Sequence, residues 1–211
     1  MTKKSLILFT RYPEVGKTKT RLIPSIGPKN SAHLQKFMTE KTLHTIEQLK
    51  TVIDIEIAIY FQGGNQELMK EWLGNNYNFY PQVEGDLGIK IYSAFEDSFK
   101  RGNEQIIIIG VDCLELNVAI LQTSFNALNN YDLVIGEALD GGYYLLGFKD
   151  LKKSLFENIN WGSDQVFSQT ISAINKLNLT TYYLPILRDI DRPEDLPYIL
   201  SFFYHNSRPV N

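Results

Sequence analysis

The sequence predicts an α/β fold with a mainly parallel central sheet covered by helices on both faces. Short apolar runs alternate with helical periodicities along the chain, the pattern of strands joined by helical crossovers. Ile106–Val111 contains four consecutive isoleucines and is apolar on both faces, as a buried parallel strand requires. Leu133–Gly136 and Tyr143–Phe148 are joined too tightly for a helical crossover, which predicts one antiparallel element.

The elements follow in order. Leu6–Thr10 is a buried strand. Gly27-Pro28 opens a long helix, with proline suited to its first turn and apolar positions from Leu34 to Leu49 at helical spacing. Ile55–Phe61 is a second strand, and a short helix then runs to about Leu73. After the loop Glu84–Gly88, the positions Ile91, Phe95 and Phe99 predict a helix. Asn117 is an N-cap for a helix carrying Leu121, Phe125 and Leu128. A helix from about Asp164 to Leu177 shows Phe167, Ile171 and Ile174 on one face. Thr181–Leu184 is the last strand, and Pro193 starts a helix to about Tyr204. No linker or repeat interrupts this pattern, so residues 1–211 are expected to form a single domain.

Composition narrows the functional classes. Hydrophobic residues make up 44% and charged residues 21% of 211 residues, enough to bury a core without staples. The net charge of −3 argues against a general nucleic-acid binder. The single cysteine, Cys113, excludes an intrachain disulfide, and with three scattered histidines it excludes a Cys/His zinc cluster. Cys113 has no neighbouring histidine to activate it and reads as a core residue, while His33, His44 and His205 read as solvated. No apolar run reaches membrane-span or signal-peptide length, so a soluble cytoplasmic protein is expected.

Ligands of such sheets collect at the carboxyl ends of the strands. After the first strand, Arg11, Lys17, Lys19 and Arg21 place four cations around Gly16. Gly16-Lys17-Thr18 matches the end of a P-loop, but Arg11 stands at its first glycine, and Pro24 and Gly27-Pro28 forbid the helix that should begin at the lysine. In an extended chain Lys17, Lys19 and Arg21 point the same way, towards an anion such as a diphosphate or, alternatively, into solvent. Asp112 follows the central strand, and Asp189 and Asp191 follow the last one. Together these carboxylates suit Mg²⁺ or Mn²⁺; singly, each suits a helix cap or an ion pair with Arg188 or Arg192. Asp140-Gly141-Gly142 is either a tight turn or a close approach to a ligand, with Asp140 as base. Asp164 either caps its helix or joins Asp140 as a catalytic carboxylate, and Trp161 offers a face for a sugar or base. Asp86, in Gly85-Asp86-Leu87-Gly88, meets the nucleotide or belongs to a plain turn.

The strings RYPEVGKTKTRL, QVEGDLGIK, GVDC, DGGYYLLG, WGSDQV and RDIDRPEDL resemble a bacterial glycosyltransferase family of the arsenosugar-biosynthesis or radical-SAM/selenodomain-associated type. More distantly, the chain is similar to molybdenum-cofactor and phospholactate guanylyltransferases. The resemblance implies a three-layer nucleotide-diphospho-sugar transferase-like (GT-A) fold and metal-assisted transfer from a nucleotide-activated donor to a small-molecule acceptor. It also implies phosphate contacts at Lys17, Lys19 and Arg21 and metal ligands at Asp112, Asp189 and Asp191. The family reads Asp-Cys-Pro after the central strand, where this chain has Leu114. A nucleotidyltransferase that releases pyrophosphate and a non-catalytic nucleotide-binding protein are the alternatives. Glycosyl transfer is favoured because the carboxylate, glycines and aromatic faces of Asp140–Tyr144 with Trp161 suit a sugar or polyol better than a third phosphate, which would want more cations than Arg188 and Arg192 offer.

Overall fold

The computed structural model describes residues 2–199 and 202. Seven strands form one sheet: β1 (Lys4–Arg11), β2 (Glu56–Gln62), β3 (Asn78–Pro81), β4 (Gln105–Ile109), β5 (Leu133–Glu137), β6 (Tyr143–Phe148) and β7 (Thr181–Tyr183). Their order is β3-β2-β1-β4-β6-β5-β7, with β6 antiparallel to both neighbours and every other pair parallel. The α/β class and the antiparallel element are therefore as the sequence predicts. The antiparallel pairing follows from the short turn between β5 and β6, which reverses the chain.

Alternate strand residues feed two cores. Leu6 and Leu8 of β1 join Ile107 and Ile109 of β4 on one face. There they pack against α1 (Ile23–Lys50), α2 (Gln66–Leu73) and α4 (Val118–Ala127) through Ile46, Met69 and Phe125. Ile7, Ile106 and Ile108 point to the opposite face, under α3 (Leu87–Lys100) and α5 (Val166–Lys176). Phe95 of α3 is fully buried there, edge-on to Phe148 with ring centroids 5.1 Å apart.

Three local differences from the sequence reading have physical causes. Helical backbone begins at Ile23, with Pro24 in the first turn, and Gly27 (φ 76°) breaks the helix before Pro28 continues it. β3 is short, polar at its start and ends in Pro81; as an edge strand it tolerates a residue that cannot donate to a ladder. A 3-10 turn at Lys153–Phe156 was likewise not foreseen. Asn117 caps α4 as expected, accepting from Ile120 N at 3.1 Å. Pro193–Asp195 forms a 3-10 turn that continues as helix to Ile199; the rest of the predicted final helix, apart from Phe202, and His205 lie outside the described residues.

Phe95→Ala is expected to cost about 3–5 kcal/mol of unfolding free energy, since it empties the space between α3 and the sheet. Urea denaturation measures this, and a loss below about 1 kcal/mol would mean that α3 does not depend on that contact.

Candidate active site

β1, β2 and β3 are added outward on one side, and the chain then returns to place β4 on the other side of β1. That reversal opens a crevice over the carboxyl ends of β1 and β4. A cavity of about 500 Å³ occupies it. Its walls come from segments far apart in sequence: Thr10 and Arg11 of β1, Asp112 after β4, Asp140 between β5 and β6, Asp164 before α5, and Asp189 and Arg192 after β7.

The loop after β1 does not extend. It turns, so Lys17, Lys19 and Arg21 point in different directions, contrary to the alternation expected of extended chain. Lys17 is exposed and pairs with Glu14 at 2.6 Å. Lys19 adopts a left-handed backbone (φ 47°), which costs a non-glycine residue roughly 1–2 kcal/mol. This conformation buries its ammonium, which lies 2.8 Å from Asp112 and 4.0 Å from Asp191 and donates to the Ile190 carbonyl. Arg21 lines the cavity and pairs with Asp191. Gly16, Lys17 and Lys19 are not among the cavity-lining residues.

Asp112 stands three residues beyond β4, and its turn is held from several sides. Ile190 N donates to the Asp112 carbonyl at 2.9 Å, and Lys41 Nζ to the Leu114 carbonyl at 2.5 Å. Leu114 is buried beside Met38, Ile190 and Ile199, so apolar packing holds the turn where the family's proline is missing. Cys113 is buried as expected, and burial together with the charges of Asp112, Asp189 and Asp140 raises its thiol pKa well above the usual range.

The opposite wall is built on Gly141. Its φ of 88° and an added Cβ only 2.1 Å from the Asp164 carbonyl oxygen require glycine there. Phe167 N donates to the Gly141 carbonyl at 2.8 Å, which ties the β5–β6 turn to the start of α5 and puts Asp140 and Asp164 on one wall. Asp140 Oδ1 also accepts from Gly142 N at 2.8 Å, shaping the turn. Asp164 does not cap α5, because Gln165 occupies the cap position. Asp86 does cap α3, accepting from Ile89 N at 2.9 Å, and does not line the cavity. Trp161 does not line it either: its indole covers Gly88, where an added Cβ would meet the ring at 2.3 Å, and it meets Tyr143 edge-on at 6.5 Å.

The carboxylates of the cavity repel one another. Burial, and then the charges of Asp140, Asp195 and Asp112, push the Asp189 carboxyl up to about 6. Among the described residues, no three His, Cys, Asp or Glu side chains are grouped closely enough to hold a metal ion by themselves. The expected trio of Asp112, Asp189 and Asp191 is therefore not a ready-made cage. Asp191 pairs with Arg21 and Asp112 with Lys19, while Asp112, Asp140, Asp164, Asp189 and Asp191 all line the same cavity. Such a set suits a hard cation completed by water and substrate oxygens.

Sequence reasoning missed Lys90, which lines the cavity from the first turn of α3. Neither Lys90 nor Arg11 has an ion-pair partner among the described residues, although both face the cavity. Arg188 does not line it; it pairs with Asp195 at 3.5 Å and lies over the Tyr198 ring. Lys90 sits one helical turn after Asp86, but only the sheet order brings that turn beside β1.

Residues 45–163 match the family model described as uncharacterized protein conserved in bacteria (DUF2064). The chain belongs to this family. This DUF2064 protein has no match among curated proteins. Its fold superposes with a TM-score of 0.90 on the crystal structure of a protein provisionally named nucleotide-diphospho-sugar transferase, from Desulfovibrio desulfuricans G20. The two are 29% identical over 98% of this chain and 90% of that one. The 4-diphosphocytidyl-2C-methyl-D-erythritol synthase of Anaerococcus prevotii gives a TM-score of 0.65 at 13% identity, covering 96% of each chain. Rv0371c of Mycobacterium tuberculosis H37Rv, solved with manganese, gives 0.59 at 13% identity over 95% of this chain and 99% of that one. At such identities the last two establish a shared fold. No helix among the described residues is long and apolar enough to cross a membrane.

Replacing Lys19 with Met is expected to destabilise the protein by about 2–4 kcal/mol, because it strands Asp112 and the Ile190 carbonyl. Lys17→Ala should stay within about 0.5 kcal/mol. Chemical denaturation of both variants tests the contrast, and equal effects would refute the buried role of Lys19. The Asp189 carboxyl should titrate near 6 by carboxyl carbon NMR, and Asp140→Asn should lower that midpoint. Because the folded pKa lies above the unfolded value of 3.8, the folded state holds the extra proton between them. The Asp189 contribution to stability should therefore decline as pH rises from about 4 to about 6.

Proposed function

We propose that residues 1–211 work as one nucleotide-diphospho-sugar transferase-like unit, a metal-dependent glycosyltransferase acting on a small-molecule acceptor. The observation that carries this reading is the convergence of Asp112, Asp140 and Asp189 on a cavity at the strand-order reversal, with Arg21, Lys90 and Arg192 in its walls. The 29% identity to the Desulfovibrio protein over nearly the whole chain supports the donor class. Burial, and then the charges of Asp140, Asp195 and Asp112, raise the Asp189 carboxyl, and a cation beside it would favour its ionised form.

Asp112 and Asp189 are the ligands best suited to Mg²⁺ or Mn²⁺, with Asp191 left to orient Arg21. The metal, when bound, supplies charge neutralisation at the diphosphate leaving group. Arg21 and Arg192 hold phosphate oxygens, and Arg11 and Lys90 add positive charge near β1. Asp140, fixed by its bond to Gly142 N, is placed to take the proton of the attacking acceptor hydroxyl. Asp164 shares its wall and orients sugar or acceptor hydroxyls.

One observation favours nucleotidyl transfer. A third phosphate needs more cations than Arg188 and Arg192, and Arg11, Arg21, Lys90 and Arg192 all line the cavity. Product analysis separates the readings. With Mn²⁺ and a panel of nucleotide sugars, slow transfer to water should yield nucleoside diphosphate and free sugar. Pyrophosphate from a nucleoside triphosphate, with no diphosphate from any nucleotide sugar, would establish nucleotidyl transfer instead. Asp140→Asn should lower turnover by about 10²–10⁴-fold if Asp140 is the base.

A further inference from the structure

We infer that Gln35 and Gln82 form an acceptor pair that reads the nucleobase, and that the base is guanine. The inference rests on the nucleotide reading above, in either of its forms.

Both amides are oriented by Thr10 at the end of β1. Thr39 Oγ1 donates its only proton to the Gln35 backbone carbonyl at 2.9 Å. The hydroxyl proton between Thr10 and Thr39, 2.8 Å apart, must then come from Thr10. Neither hydroxyl retains a proton for Gln35, so Gln35 approaches both with its NH₂ group, at 3.3 Å each. Gln82 is fixed more simply. Its Nε2 lies 3.2 Å from the Tyr60 carbonyl and 3.5 Å from the Thr10 carbonyl, and only an amide N–H satisfies two carbonyls.

With their NH₂ groups engaged, both side chains have a carbonyl oxygen left over. Neither Oε1 has a hydrogen-bond partner among the described residues, and neither is among the buried polar atoms left without one. Each therefore keeps some exposed surface, although Gln35 is only 5% exposed as a whole residue, and both side chains line the cavity. The cavity residues from β1, α1 and α3 include no carboxylate; Phe9, Leu87 and Ile91 supply apolar surface there. The acids all come from the other segments, where phosphate, metal and sugar belong. This end carries no acid, and a flat heterocycle suits its amides and apolar surface beside Arg11 and Lys90.

Two acceptors with no amide donor left favour an edge carrying two donor groups. Guanine offers N1–H beside its 2-amino group. Uracil offers one N–H flanked by two carbonyls and would set oxygen against oxygen. Adenine and cytosine each offer a single amino group beside a ring acceptor. Arg11 and Gln62, at the same end, remain to donate to the guanine carbonyl.

Calorimetric titration of the wild-type protein, with Mn²⁺, against GDP, IDP, UDP, CDP and ADP tests this. GDP should bind about tenfold tighter than UDP, and IDP, which lacks the 2-amino donor, about three- to tenfold more weakly than GDP. Of Gln35→Met and Gln82→Met, each checked for an unchanged melt, one should bring GDP and IDP to equal affinity, since one of the two must read the 2-amino group. Equal binding of GDP and UDP, or of GDP and IDP to wild type, overturns the base assignment and leaves the nucleotide reading standing. Failure of every diphosphate to bind overturns both.

Discussion

The site depends on one buried cation. Lys19 Nζ joins Asp112, Asp191 and the Ile190 carbonyl, so a single ammonium ties the loop after β1 to the segments after β4 and β7. Those segments are 93 and 171 residues further along the chain. The left-handed backbone at Lys19 is tolerated because those contacts overdetermine it. The Ile190–Asp112 backbone bond and the Lys41–Leu114 contact close the same junction. Without that charge, the Asp112 and Asp191 carboxylates would lie close together with Arg21 left to offset them.

Charge inside the cavity is divided by origin. Carboxylates come from the segments after β4, between β5 and β6, before α5 and after β7, whereas β1, α1 and α3 contribute the Gln35 amide, apolar surface and two cations, Arg11 and Lys90, without ion-pair partners among the described residues. Asp189 registers the crowding on the acidic side through its raised carboxyl. The cavity therefore has an acidic side and a side that carries Arg11 and Lys90. Steric constraints shape it: Gly141 lets the Asp140 turn lie against Asp164, and Gly88 lets Trp161 seal the start of α3.

Local patterns determined most of the fold. Apolar runs identify six of the seven strands, because burial on one or both faces leaves a period that no other structure needs. The Asn117 cap and the tight β5–β6 turn were legible for the same reason: each interaction closes within a few residues. The missed strand, β3, is stabilised by its neighbour β2 rather than by its own composition. Of the site, the carboxylates Asp112, Asp140 and Asp189 were legible as residues that follow strands.

Which side chains share the cavity was decided by tertiary structure alone. Lys17, Lys19 and Arg21 look equivalent in sequence, yet one is solvated, one is buried and one lines the cavity. Their fates depend on where Asp112 and Asp191 arrive from distant strands. Asp191 and Asp189 are likewise alike until Arg21 claims one of them. Gln35 belongs to no motif, and Gln82 and Lys90 only bound the QVEGDLGIK string; they matter because the strand order brings α1, the loop after β3 and α3 together at Thr10. The sequence by itself determines periodicity, caps and turns, whose energies are local. The pairing of charges across 171 residues is settled only when the sheet has formed, because only then does burial make an unpaired charge costly.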